Sequence, residues 1–168
     1  VVANDMLDDL NISKGLFGVL TAVNTIVGAL FAIRSGSLSD RIGPKASVTA
    51  VLVIAAVGLF ITAFATSAWM LLVAVFISGL CQGWCNPATN KLIADRVPQG
   101  RRGIITGVKQ SGVQLATFLA GLTLPSLAIW INWRAGMIAY GILAVLAAVA
   151  TIVLLPADPE VDVVARRE

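Results

Sequence analysis

The sequence has no histidine, only 12% charged residues and only 7% aromatics. The first lack removes the side chain most used for proton transfer near neutral pH and for metal ligation. The second argues against a soluble domain, which carries about 25% charged residues and uses them to build a polar shell. The third means that the apolar surplus, 58% of 168 residues, is largely aliphatic. Cysteine is limited to Cys81 and Cys85, four positions apart. With no histidine to complete a metal site they read as small buried thiols, and the sequence calls for no cofactor and no metal. The natural solvent for such a chain is lipid.

Five apolar runs fill most of the length, at about 15–34, 46–65, 68–91, 103–131 and 134–155. Each is long enough for a spanning helix of ~20 residues. The second contains no charge, and no Asp or Glu lies inside any of the five, so no acidic proton carrier is visible. The expected fold is an all-α membrane protein, a polytopic helical bundle. An enzyme would want an inward cluster of His, Asp or Glu, or a nucleophile beside a base. None is present, so the chain reads as no enzyme.

The net charge of +3 is informative through its placement and implies no nucleic-acid partner. Arg34, Arg41 and Lys45 surround the first connection, while Lys91, Arg96, Arg101, Arg102 and Lys109 surround the third. Basic residues accumulate on cytoplasmic loops, which puts loops 35–45 and 92–102 inside. The N-terminal segment, with Asp5, Asp8 and Asp9, is then outside, and Trp69, Trp130 and Trp133 fall at the outer interface as anchoring rings. Residues 1–12 read as the end of a missing first span and an outer loop, with Ser13 as a helix cap. Residues 13–156 read as the five helices, and 157–168 as the start of a cytoplasmic central linker.

Three of the spans carry polar stripes. Gly18, Thr21, Thr25, Gly28 and Ala32 recur at helical spacing in the first, with Asn24 at the edge. Ser78, Gln82, Asn86 and Thr89 line the third, and Gln110, Gln114 and Thr117 continue a glycine stripe in the fourth. Small residues let helices approach, and amides in hydrocarbon need partners or water. Asn24, Gln82, Asn86, Gln110 and Gln114 are therefore candidates for a substrate cavity, each with an interhelical hydrogen bond as the plainer alternative. Asn24 and Gln114 fall nearest the midplane. Lys109 is the one charge well inside a span; its plainer reading is snorkelling to the inner interface, its functional one a counter-charge for an anionic substrate. Pro87 and Pro125 each follow a glycine by four residues, Gly83 and Gly121. Proline cannot donate to that carbonyl, so each pair marks an expected kink with a free carbonyl.

The stretch Gly36-Ser37-Leu38-Ser39-Asp40-Arg41-Ile42-Gly43-Pro44-Lys45 resembles the G-x-x-x-D-R-x-G-x-K/R loop of the major facilitator superfamily, between that family's second and third helices. Residues 98–103, with Arg101-Arg102-Gly103, are similar to its second inner loop. Gly107 to Gly112, followed by Gly121 and Pro125, resembles its fifth helix. The resemblance covers nearly the whole chain as helices two to six, most of one six-helix half of a major facilitator fold. It implies secondary active transmembrane transport of a small solute by alternating access, as a fragment of a 12-helix transporter. The implied partners are the lipid bilayer, a small-molecule substrate with a coupled proton left open, and the missing C-terminal half of the same transporter. The implied location is a bacterial plasma (inner) membrane. A non-transporting sensor or assembly subunit of the same fold remains the alternative.

Two departures bear on coupling. The R-x-x-Q-G arginine position of the family's fourth helix is Gly79 here, although Gln82-Gly83 is kept. The antiporter signature of the fifth helix keeps Gly112, Gly121 and Pro125 but has Leu124 before the proline and no glycine pair after it. Proton antiport gains no support from these positions. The resemblance assigns Gly36, Asp40, Arg41, Gly43 and Lys45 to a conformational latch, in which the acid helps hold the cytoplasmic side shut by docking on the other half. The plainer reading is a surface ion pair of Asp40 with Arg41 or Lys45.

Overall fold

The computed structural model describes Met6, Asp9, Leu10 and residues 12–156. The expected end of a first span, the outer-segment residues Asp5 and Asp8, and the expected linker at 157–168 lie outside the described residues. The elements are α1 (Lys14–Ile42), α2 (Pro44–Ala63), α3 (Ala68–Arg96), a 3-10 turn (Gln99–Arg101), α4 (Arg102–Trp130) and α5 (Trp133–Leu154). All five α-helices are long and apolar enough to cross a membrane, so the chain is an integral membrane protein. Ser13, Ser67 and Asn132 cap α1, α3 and α5: their side chains accept from the N–H groups of Leu16, Met70 and Arg134.

The first connection is shorter than the sequence suggests. Residues 35–42, expected as loop, continue α1 to Ile42, and Gly43 alone separates α1 from α2. At ~1.5 Å per residue α1 is ~44 Å long, against a hydrocarbon core of ~30 Å, so a polar end beyond the bilayer is compatible with unbroken helix. Gly43 turns the corner at φ 88° and ψ 160°, a conformation in which a side chain is strained. Pro44 then starts α2, at a position where the missing N–H costs nothing.

α3 is the centre of the bundle. α1 packs along one side of it and α2 along the other, α5 lies against α2, and α4 rests on α5 with only light contact to α3. Val51, Trp84 and Ala88 form a core toward the basic end, ringed by Phe31, Leu38, Val48 and Ile54. Ile12, Leu20, Ala65 and Leu71 form another toward the opposite end. Two cations tie helix ends together. Lys45 Nζ donates to the carbonyls of Ile152 (2.8 Å) and Leu155 (2.6 Å), satisfying the C-terminus of α5. Arg134 does the same for α2 through Ala63 (2.9 Å) and Ala65 (2.8 Å), and also pairs with Asp9 at 3.3 Å.

The tryptophans divide differently from expectation. Trp69 and Trp130 are exposed, but Trp133 is buried: its Nε1 donates to Asp9 Oδ2 at 3.2 Å, and the Arg134 guanidinium sits 4.6 Å from its ring centre. It is a packing residue held by a cation and an acid, not a lipid-facing anchor.

Candidate solute groove

α1 and α3 meet almost backbone to backbone. Gly79 faces the Asn24 carbonyl and the Val27 side chain, and Gly83 faces Gly28 and Ala32. Small residues at a crossing allow this approach, and it fixes the depth at which the polar stripes of both helices lie. Gln82 stands at the middle of α3, ~21 Å from either end by helical rise.

Three recesses follow from this arrangement. One, of about 390 Å³, lies among α2, α3 and α4 and is lined by Ser78, Cys81, Gln82, Cys85, Asn86 and Gln110, with Ala55, Leu59 and Val113 as its apolar part. A second, of about 460 Å³, lies between α1 and α3 and shares Gln82 and Asn86, together with Thr25, Gly83 and Pro87. A third, of about 280 Å³, reaches toward the opposite end past Asn24, Thr21 and Thr62, and shares Ser78 with the first. Gln82 and Asn86 thus form a ridge of two amides with a groove on either side. No carboxylate lines any of the three.

The sequence-derived candidates separate on this map. Gln82, Asn86 and Gln110 come together. Asn24 lines the third recess but its Nδ2 donates to the Val75 carbonyl at 3.1 Å, an interhelical bond to α3. Gln114 is exposed on α4 and lines none of the three recesses. Lys109 reaches across to a neighbouring helix. Its Nζ donates to Asn90 Oδ1 (2.7 Å), Thr89 Oγ1 (3.2 Å) and Asn86 Oδ1 (3.5 Å), all on α3. Cys81 is half-buried, with its thiol 3.5 Å from the Val51 carbonyl, whereas Cys85 is exposed in the first recess, contrary to the reading of both as buried thiols.

The glycine–proline pairs also differ from each other. α3 continues through Pro87 as helix, and the Gly83 carbonyl that Pro87 cannot serve accepts from Ser35 Oγ at 3.1 Å. That carbonyl is therefore not free, and α1 supplies the missing donor. In α4, Pro125 is likewise within helix, and a Cβ at Gly121 would meet nothing within 4 Å. Ser35→Ala should leave the Gly83 carbonyl buried without its donor and lower stability by ~1–3 kcal/mol. Ser37→Ala, which removes only a bond to the Arg34 carbonyl on the exposed side of the same helix, should change nothing measurable. Thermal unfolding of both variants in detergent checks the contrast; equal stability would show that Ser35 is not the needed donor.

The Gly36–Lys45 motif is folded into the bundle. Asp40 pairs with Lys91 of α3 at 2.7 Å, and Lys91 lies 3.6 Å from Asp95. Among the described residues the acid pairs with a cation on a neighbouring helix, where the sequence had offered Arg41 or Lys45. Lys91 was a span-end cation in the sequence; opposite charges at the basic ends of two adjacent helices were the signal available. Ser39, buried one residue before, accepts from Trp84 Nε1 at 2.8 Å, and Trp84 meets Phe31 edge-on with centroids 6.0 Å apart. Gly43 makes the corner and Lys45 caps α5. Arg41 is exposed, and a Cβ at Gly36 would meet nothing within 4 Å.

The sequence profile of the Major Facilitator Superfamily matches residues 1–168. The chain is similar to a gentisate transporter of Corynebacterium glutamicum, 31% identical over 79% of this chain and 31% of that protein. It is similar to a hexuronate transporter of Bacillus subtilis, 25% identical over 89% of this chain and 35% of that protein. An arabinose-proton symporter of Escherichia coli is 32% identical over 79% of this chain and 27% of the symporter. The chain thus spans roughly a third of the length of the curated relatives it matches.

Proposed function

The chain belongs to the major facilitator superfamily, and from that premise we propose that it forms most of one half of a secondary transporter moving a small solute by alternating access. The observation that carries this reading is the ridge of Gln82 and Asn86, with Gln110 opposite, facing open grooves between largely apolar helices, with Gln82 at the middle of α3. Amides facing open grooves inside a bilayer are costly unless water or a solute satisfies them, and transporter sites lie near the midplane between repeats. α4 buries none of its residues within the described chain, which fits a helix facing a second half across the pathway. The basic residues at the ends of α1 and α3 support a cytoplasmic orientation for that end, in a bacterial inner membrane. The named relatives include carriers of organic acids and of sugars, one of them a proton symporter.

Solute flux in vesicles is the direct test. The full-length protein should accumulate or exchange a solute, and the 168-residue chain alone should insert without moving it, since rocking requires two halves around a shared site. Flux by the isolated chain would overturn the half-transporter reading. No flux by the full-length protein across organic acids, sugars and polyols would overturn transport itself.

A further inference from the structure

Lys109 stands beside the groove, bonded to one of its lining amides. Its three acceptors, Asn86, Thr89 and Asn90, are all neutral. Asp40 at the end of α1 and Asp95 at the end of α3 pair with Lys91, at 2.7 and 3.6 Å. Lys109 lies ~10 Å along α4 from Arg102, and Asn90 lies ~9 Å along α3 from Arg96. Lys109 is not itself among the residues lining either groove; its ammonium crosses to α3 and reaches Asn86, an amide that lines both. Its contact with Asn86, at 3.5 Å, is the longest of the three and the one most readily exchanged for a stronger acceptor.

We propose that Lys109 makes this groove an anion site, and that the carried solute is a small organic anion whose carboxylate, or an anionic group of similar size, is taken by Lys109 Nζ beside the Gln82–Asn86 ridge. This rests on the transport reading above and deepens it. The amide N–H groups of Asn86, Gln82 and Gln110 complete the ligation of the remaining oxygens. A cation with neutral ligands in a low-dielectric cleft concentrates anions and repels cations, whether or not a substrate has been identified. Lys109 is then a binding residue, and its tether to Thr89 and Asn90 is what positions it.

The test uses Cys85 as a reporter, because its thiol is exposed in the same groove. In the full-length protein with Cys81→Ala and Cys85 as sole cysteine, the thiol is modified with a negatively charged and a positively charged methanethiosulfonate reagent. The rates are normalised to those of a free thiol. The ratio of anionic to cationic rate should be high, fall by about 10-fold in Lys109→Gln and persist in Lys109→Arg. Thr89→Val with Asn90→Leu, which loosens the tether but keeps the charge, should preserve the sign of the preference. An unchanged ratio in Lys109→Gln overturns the inference, as does a ratio lost equally in Lys109→Arg. Transport gives a separate arm: Lys109→Gln should raise KM for an anionic solute with the maximal rate within about threefold. A full-length protein that carries only neutral solutes, indifferent to Lys109→Gln, overturns the anion site and leaves the transport reading standing. Absence of all flux overturns the transport reading, while the thiol ratio still judges the charge of the groove.

Discussion

Gly83→Ala in the full-length protein is expected to unseat α1 from α3 and deplete the folded protein, although it adds one methyl group. A Cβ at Gly83 would collide with the Gly28 carbonyl oxygen and sit 3.1 Å from the Gly28 carbonyl carbon and 3.2 Å from the Ala32 nitrogen. All three obstacles are backbone, so no side chain can swing away. The helices must separate instead, which stretches every bond that depends on their approach: Ser35 to Gly83, Asn24 to Val75 and Trp84 to Ser39. Overpacking costs ~1–3 kcal/mol in well-packed cores, and the loss of these buried bonds adds to that, so the upper end or more is expected here. Gly28→Ala, whose nearest obstacle is the Gly79 carbonyl at 3.2 Å, should be milder. Gly121→Ala has open space around its Cβ and should be neutral or slightly stabilising, since alanine is the better helix former by up to ~1 kcal/mol. Thermostability in detergent by size-exclusion chromatography ranks the three. Equal melting of Gly83→Ala and Gly121→Ala would show that the α1–α3 crossing is not the tight joint described.

The same joint shows what could be read in the chain and what could not. The spans were legible because hydropathy over ~20 residues is a bulk property that tertiary contacts barely alter. Ser13 was legible as a cap because its partner is three residues away. The extension of α1 through 35–42 was not, because Ser35, Ser37, Ser39 and Asp40 look like loop when polarity is equated with leaving the helix. They are polar because they serve α3: Ser35 supplies the donor that Pro87 removes, and Ser39 receives the Trp84 N–H. The absence of proline before Pro44 was the available signal, against the turn-forming pair Ser35-Gly36. The polar stripes were legible as interior faces, but which amides share a groove depends on helix rotation. Depth counts as well: Gln110, inside the recess, and Gln114, outside it, are only ~40° apart around α4 but ~6 Å apart along it. The acceptors of Lys109 were illegible for a related reason: Asn86, Thr89 and Asn90 lie on a different helix, and sequence alone offers only the default of a lysine near a span end.

Asp40→Asn should leave insertion and abundance nearly unchanged and slow transport by the full-length protein at least 10-fold. The stability cost is small because Asp40 and Lys91 keep 44% and 21% of their side-chain surface exposed, and pairs screened in that way contribute no more than ~1 kcal/mol. A large functional effect from so weak a pair requires that the carboxylate act in one conformational state and not the other. The latch implied by the family resemblance supplies such an act, since a carboxylate can dock on the partial positive charge of a helix N-terminus in the other half. The Lys91 pair then holds Asp40 in place, at the end of a helix fixed by Gly43 and by Lys45 on α5. A charge swap separates the two roles. Asp40→Lys with Lys91→Asp restores the local pair with its sign reversed, and should recover whatever thermostability Asp40→Lys alone loses. It should not recover transport, because a lysine at position 40 would repel the helix N-terminus that a carboxylate attracts. Recovery of transport along with stability would reduce Asp40 to the partner of Lys91, and the latch would have to lie elsewhere in the protein.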